Sequence, residues 1–556
     1  GACVFQEFTQ LGYRYPEPIS PAMTLLRITS CLALGLLLHT AGTANNIQVA
    51  NATLTGNTGT SAKIQFDLSW ENSWRGGVVS NWDAAWVFVK YRTSTTGDWQ
   101  PVELSNTGHV APTGSQVDLG LSFPGGVYNA STNPALGVFI YRNAVGTGNL
   151  ALFNLQLQWN YSALGLVFND VAQLQVFAIE MVYVPQGSFY LGAGGTEGGS
   201  FTDGSWISGA SVPRQITAED AITVGTGAGN LWVTTPPVGC SYATVPTGTL
   251  AAAFPKGYAA FYCMKYELSQ QGYVEFLNSL TYTQQAVHTA QPPNSAAGTG
   301  ALLSTLGTAT AQRNGIDIQT PGTPSTIPAV YACNFDADGI YGEANDGMTI
   351  ACNHISWYSM AAYLDWSGLR PMTELELEKA CRGTLPPVPN EYAWGTNTIA
   401  GSAYTLSNPG AANEGIATNY STTLGNAITP ATGGGTIGGP IRGGIFAANV
   451  SSSGRVTAGA SYYGIMELTS NLWETVVTIG NTQGRAFTGR HGSGAILGSG
   501  NANGVNWPDS STGIGVGVHG GYFSSTPYTV CDRCYSTRAQ DYRSADLGTR
   551  GVRTAP

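Results

Sequence analysis

The stretch from Ser356 to Gly383 constrains the fold more than any other part of this chain. It reads as two helices in quick succession. Ser356 is placed to cap the first, near Ser356–Gly368, with Met360, Ala361, Tyr363 and Leu364 facing inward. Thr373 is placed to cap the second, over Glu374–Arg382, and Glu376 stands at its third position, the spacing of a capping box. An earlier helix is predicted over Ser269–Leu280, capped by Ser269, with Tyr273, Phe276, Leu277 and Leu280 as its apolar stripe. Glu374, Glu376 and Glu378 then read as a solvated or Arg-paired face.

Ahead of these helices the pattern changes to period two. Ile64–Trp70 alternates apolar and polar residues, and Trp86–Arg92 does so less strictly. Val138–Arg142, Leu155–Trp159 and Leu174–Ile179 repeat the theme with turn residues between them, the mark of an antiparallel sheet with one buried face. Residues 45–180 are therefore expected to form an all-β sandwich domain. Trp70, Trp74, Trp82, Trp86 and Trp99 cluster there, read as a core with most rings on one side, the alternative being a carbohydrate-stacking face. No long linker follows, so this unit is expected to pack against the next. Residues 195–250, 285–330 and 400–460 read as Gly- and Ser-rich insertions.

Five phrases span the last two-thirds of the chain: MVYVPQGSFYLG from Met181; Ser356-Trp357 with DWSGLRPMTELELEKACRG from Asp365; Tyr392–Gly395; ELTSNLWE from Glu467; and GTRGVR from Gly548. In order and spacing they resemble the formylglycine-generating-enzyme family, the sulfatase-modifying factors, whose fold is related to C-type lectins. The resemblance implies a loop-rich α+β domain over residues 181–556. It also implies an oxidase that converts a sulfatase cysteine to formylglycine, using copper held by two cysteines of the C-terminal segment. Soft thiolates suit Cu(I). The corresponding stretch here, Gly520–Cys534, leaves two residues between Cys531 and Cys534 rather than four. Tyr522 stands where the family has a serine after the double glycine, and Thr475 where it has a tryptophan after the Asn-x-Trp-Glu run. Cys531 and Cys534 are thus the catalytic candidates if the chain is an oxidase. Otherwise they read as a short disulfide or two unrelated thiols. By the same resemblance a structural calcium would be held by Glu474 and the carbonyls of Ser470 and Leu472.

A second calcium reading is independent of the family. Asn334, Asp336 and Asp338 place oxygen side chains at alternate positions before Gly339, as in an EF-hand-type loop, whose last acidic position falls on Asn345 with Asp346 beside it. An Asx-rich turn is the alternative. His109, His288, His354, His491 and His519 show no metal-ligand spacing, which argues against an iron sulfoxide-synthase site. Arg538, Arg543, Arg550 and Arg553 read as pairing residues rather than an anion patch.

Residues 1–22 precede Met23, and residues 23–44 read as a secretory signal with an apolar core at Leu32–Leu38, too short to span a membrane. Of nine cysteines, Cys3 and Cys31 fall before the expected cleavage. Seven remain, an odd number, with Cys333–Cys352 a candidate bridge. A net charge of −10 with only 10% charged residues excludes a basic nucleic-acid face. These readings converge on a secreted, extracellular or cell-surface binding or assembly protein that lacks oxidase activity, with calcium as its cofactor. Its expected partner is a protein or glycan, or further copies of itself in an oligomer or filament. The alternative is the copper-dependent oxidase.

Overall fold

The computed structural model describes residues 46–95, 97–235, 245–303, 311–526, 528–533 and 542–556. The segment read as a secretory signal from the sequence, together with Cys240, Cys534 and Arg538, lies outside the described residues. The chain is mixed α+β and strand-rich. Its spine is one long strand, Gln173–Val184, whose residues 173–182 pair on one side with the whole of Asp83–Arg92. On the other side its last residues, Met181–Val184, pair with Phe261–Met264. The sheet continues from there through Gly551–Thr554 to Arg370–Pro371 and, in the other direction, through Ala135–Arg142 to Ser115–Leu121. The sheet therefore runs through residue 180 without a break.

Strand Asp83–Arg92 is buried almost throughout. Ala85, Val87, Val89 and Tyr91 belong to one apolar core, with Ile64, Phe66, Leu68 and Trp70 of the neighbouring three-stranded sheet. Ala84, Trp86 and Phe88 belong to another, with Phe139, Phe177 and Trp366. Burial on both faces explains the blurred alternation, because neither face has to stay polar. It also divides the tryptophans. Trp70 enters the first core and Trp82 and Trp86 the second, so the rings do not share one side. Trp99 sits beneath the Arg92 guanidinium at 4.7 Å. Trp86 lies against glycines of the adjoining strands: a Cβ at Gly120 or Gly137 would overlap its ring, while its Nε1 donates to Ser367 O at 2.8 Å.

The helices begin where the sequence places them. Ser269, Ser356 and Thr373 cap Gln270–Leu277, Trp357–Trp366 and Glu374–Arg382, and Thr373 with Glu376 closes a capping box. A fourth helix, Tyr282–His288, was missed by the sequence reading, although Thr281 and Gln284 form a capping box of their own. The insertions are not plain loops. Strands Phe201–Asp203, Ile222–Val224, Leu231–Val233 and Gly248–Leu250 form a sheet with its own apolar core. Residues of 400–446, Tyr404, Ile416, Ile428 and Phe446 among them, share another.

Candidate functional site

The three glutamates of helix Glu374–Arg382 are buried and paired with arginines. Glu376 receives Arg370 through both carboxylate oxygens, at 2.9 and 2.6 Å. Glu374 receives Arg533 at 2.6 Å. Glu378 lies 3.3 Å from Arg382, which also pairs with Glu391. Burial alone would raise the Glu374 carboxyl; Arg533 and His519 beside it hold it at about 2. Of the two faces the sequence left open, the structure therefore has the Arg-paired one and not the solvated one. Two charges inside the protein persist only when each is matched.

This network receives the C-terminal segment. Strand Val516–His519 pairs with Trp473–Val477. Gly520 and Gly521 follow with φ of +84° and +79°, a turn that favours residues without a Cβ, and Ser470 N donates to Gly520 O at 2.7 Å. Tyr522 emerges from the turn half-buried, its ring 6.1 Å from Trp473 and edge-on to Phe523. Thr475 is buried and donates to Gly548 O at 2.9 Å. Cys531 is fully buried, and Arg382 donates to its sulfur at 3.0 Å. Burial, reinforced by Glu378 and opposed by Arg382, pushes this thiol well above its ordinary range. The group is thus a neutral thiol inside a structural ion network, the reverse of an exposed low-pKa thiolate. Its proposed companion, Cys534, lies outside the described residues.

The family-derived calcium positions have neighbours of their own. Glu474 is buried, and its Oε1 accepts from Arg550 Nε at 2.6 Å. Leu472 N donates to Glu267 Oε1 at 2.9 Å, Asn471 donates to the other oxygen of Glu267, and the Ser470 hydroxyl donates to Ile428 O. Glu267 thus gathers the loop from within. Sequence reasoning missed Glu267 and its neighbour Glu467, which burial pushes up to about 7. Glu467 opens the ELTSNLWE phrase, but no local pattern marks Glu267 or pairs the two, since their proximity comes from the fold.

Of the Asn334, Asp336 and Asp338 set, the structure brings only Asp336 together with other carboxylates, and its companions are Glu343 and Asp346. The histidines occupy separate surroundings. His288 lies between Ser359 and Gly500 O, His491 lies against Leu121 O, and His109 bonds Ser105 O. Cys333 and Cys352 are both buried and unbridged. A cavity of about 650 Å³ is lined by Phe88, Phe177, Tyr266, Glu180, Glu267 and Glu275 among others.

A description of the sulfatase-modifying factor enzyme 1-like domain matches residues 168–555. The chain belongs to the formylglycine-generating-enzyme family. The match begins inside the turn that leads into strand Gln173–Val184 and ends at the closing strand Gly551–Thr554. It therefore takes in both partners that flank Phe261–Met264 in the central sheet. No curated protein is similar enough to count as a relative. Among the described residues no helix is long and apolar enough to cross a membrane.

Proposed function

We propose that the chain is a binding or assembly protein that uses the formylglycine-generating-enzyme scaffold without its oxidase chemistry. The observation that carries this reading is Cys531, buried against Arg382 within the Glu378–Glu391 network. Copper at that sulfur would require loss of its proton and removal of the guanidinium, leaving two buried glutamates short of their counter-charge. Tyr522 and Thr475, at the family's serine and tryptophan positions, support the same conclusion. We place the protein outside the cell, secreted or at the cell surface, with the C-type-lectin-like domain preceded by a β-sandwich. Its ligand face is the C-terminal segment beyond Tyr522, where Tyr522 and Tyr528 surround Trp473. Trp70 and Trp86 are buried, which removes them from any glycan-stacking role.

Anaerobic titration of the reduced protein with Cu(I) against a chromogenic chelator tests the reading. Retention of copper by the chelator is the expected result. Tight binding of one copper per chain, abolished by Cys531→Ser and by Cys534→Ser, would establish the oxidase instead. Electron microscopy of the same sample reads out filaments or layers.

A further inference from the structure

Strand Val330–Cys333 ends at Asn334, and the chain then makes a loop of oxygen-bearing side chains before Gly347. Two of the three residues singled out in the sequence serve the loop itself. Asn334 donates from Nδ2 to Asp317 at 2.8 Å and accepts from Gly339 N at 3.3 Å. Asp338 is exposed and accepts from Ile340 N at 2.7 Å, an ordinary Asx turn. Asp336, Glu343 and Asp346 behave differently. Each offers a carboxylate oxygen, and these oxygens lie within 4.8 Å of one another.

Such a group needs a second observation before it means anything, and Asp346 supplies one. The residue is fully buried. Its Oδ2 accepts from Gly342 N at 2.7 Å and Glu343 N at 2.8 Å, while its Oδ1, equally shielded from water, has no donor at all. An orphaned buried acceptor costs about 1–3 kcal/mol, more for a charged group. Three like charges at this spacing add repulsion to that cost. Burial, with the Asp336 and Asp338 charges behind it, raises the Glu343 and Asp346 carboxyls. Asn345 donates to Asp336 Oδ2 at 2.5 Å and so orients the third carboxylate.

We propose that Asp336, Glu343 and Asp346 hold a calcium ion. All three donors are hard oxygens, and neither thiolate nor imidazole is among them, which selects a hard divalent cation. Asp336 is exposed and Glu343 half-exposed, so waters and nearby carbonyls complete an irregular shell, as Ca²⁺ tolerates and Mg²⁺ resists. The ion supplies Asp346 Oδ1 with the partner it lacks and cancels the repulsion. The loop is fastened to the 410–412 turn by Gly347 N to Gly410 O at 2.9 Å and Ala412 N to Ala344 O at 3.0 Å. Occupation therefore stiffens the insertion as well as the loop. This site stands apart from Cys531 and does not depend on the non-oxidase reading.

Terbium luminescence on the chelator-treated full chain tests it, with Tyr341 inside the loop as the sensitiser. One Tb³⁺ per chain, displaced by Ca²⁺, is expected. Glu343→Gln should weaken binding at least about tenfold, as loss of one ligand charge does. Asp338→Asn should leave it unchanged. Circular dichroism confirms that both variants are folded, and Glu343 lies far enough out for its variant to keep the fold. Absence of sensitised emission, or equal loss in the Asp338 and Glu343 variants, would overturn the site. Displacement by Mg²⁺ as readily as by Ca²⁺ would overturn calcium as its occupant.

Discussion

Replacing Arg550 with Met removes the cation around which three segments of the core are gathered. The side chain is fully buried. Its Nε donates to Glu474 at 2.6 Å, its Nη1 to Met264 O at 3.0 Å and its Nη2 to Met466 O at 2.9 Å, with longer contacts to the Lys265 and Glu467 carbonyls. Burial raises the Glu474 carboxyl and Arg550 pulls it back, so without Arg550 an acid remains beside Glu267 with no counter-charge. Breaking a buried pair in this way costs roughly 3–5 kcal/mol. Methionine keeps much of the volume, so most of the loss is electrostatic rather than a cavity. Urea unfolding of wild type, Arg550→Met, Glu474→Gln and the double variant gives the coupling directly. The double variant is expected to be more stable than the two single losses predict, by about 1–3 kcal/mol. If Arg550→Met unfolds within about 1 kcal/mol of wild type, or the two changes simply add, the ion pair does not hold the core.

Other outcomes follow from the same geometry. Glu467, held at about 7 when folded against an ordinary value of 4.5, binds more protons folded than unfolded between those values, so its contribution to stability is fully present below about pH 4.5 and is lost as pH rises to about 7. At about 1.4 kcal/mol per unit the loss is about 3 kcal/mol, and Glu467→Gln should flatten it in unfolding curves taken at stepped pH. Lys265 lies 3.1 Å from Glu180 and 3.5 Å from Asp83, all buried, so Lys265→Met should cost roughly 3–5 kcal/mol by the same assay. Gly120→Ala drives a methyl into the Trp86 ring, and a loss of roughly 1–3 kcal/mol is expected in thermal unfolding. Cys531 should resist an aromatic disulfide reagent in the native protein and react only on unfolding, as peptide mapping of the labelled chain will show.

Local signals were legible in the sequence because local forces decide them. Ser269, Ser356 and Thr373 cap helices by bonding within three residues of themselves, so no tertiary knowledge was needed. The sheet was only partly legible. Strand Gln173–Val184 was read short, as Leu174–Ile179, because its remaining half pairs with Phe261–Met264, far along the chain. The loop proposed to hold calcium lies between these cases. Alternating oxygens pointed to Asp336, but the bend at Gly342 brings Glu343 and Asp346 to it, one residue past the position that an EF-hand spacing would use.

The family's most specific phrase and its most altered segment meet in one place. Helix Glu374–Arg382 grips Arg533 through Glu374 and Cys531 through Arg382, while Glu376 holds Arg370 at the edge of the central sheet. Each contact is buried, so each ion is stable only while its partner stays. A thiol set in that lattice is costly to mobilise. Freeing Cys531 for a metal displaces Arg382 from the Glu378–Glu391 pair, and the disturbance passes along the helix to Arg533, two residues after the thiol. The charges that fasten the C-terminal segment to the scaffold thus also oppose redox chemistry at its cysteine. Any variant made to bind copper at Cys531 must first replace Glu378, Arg382 and Glu391 together. Changing Arg382 alone, as in Arg382→Met, is expected to destabilise the fold by roughly 3–5 kcal/mol without yielding a copper site, a result that unfolding and Cu(I) titration of the same sample read together.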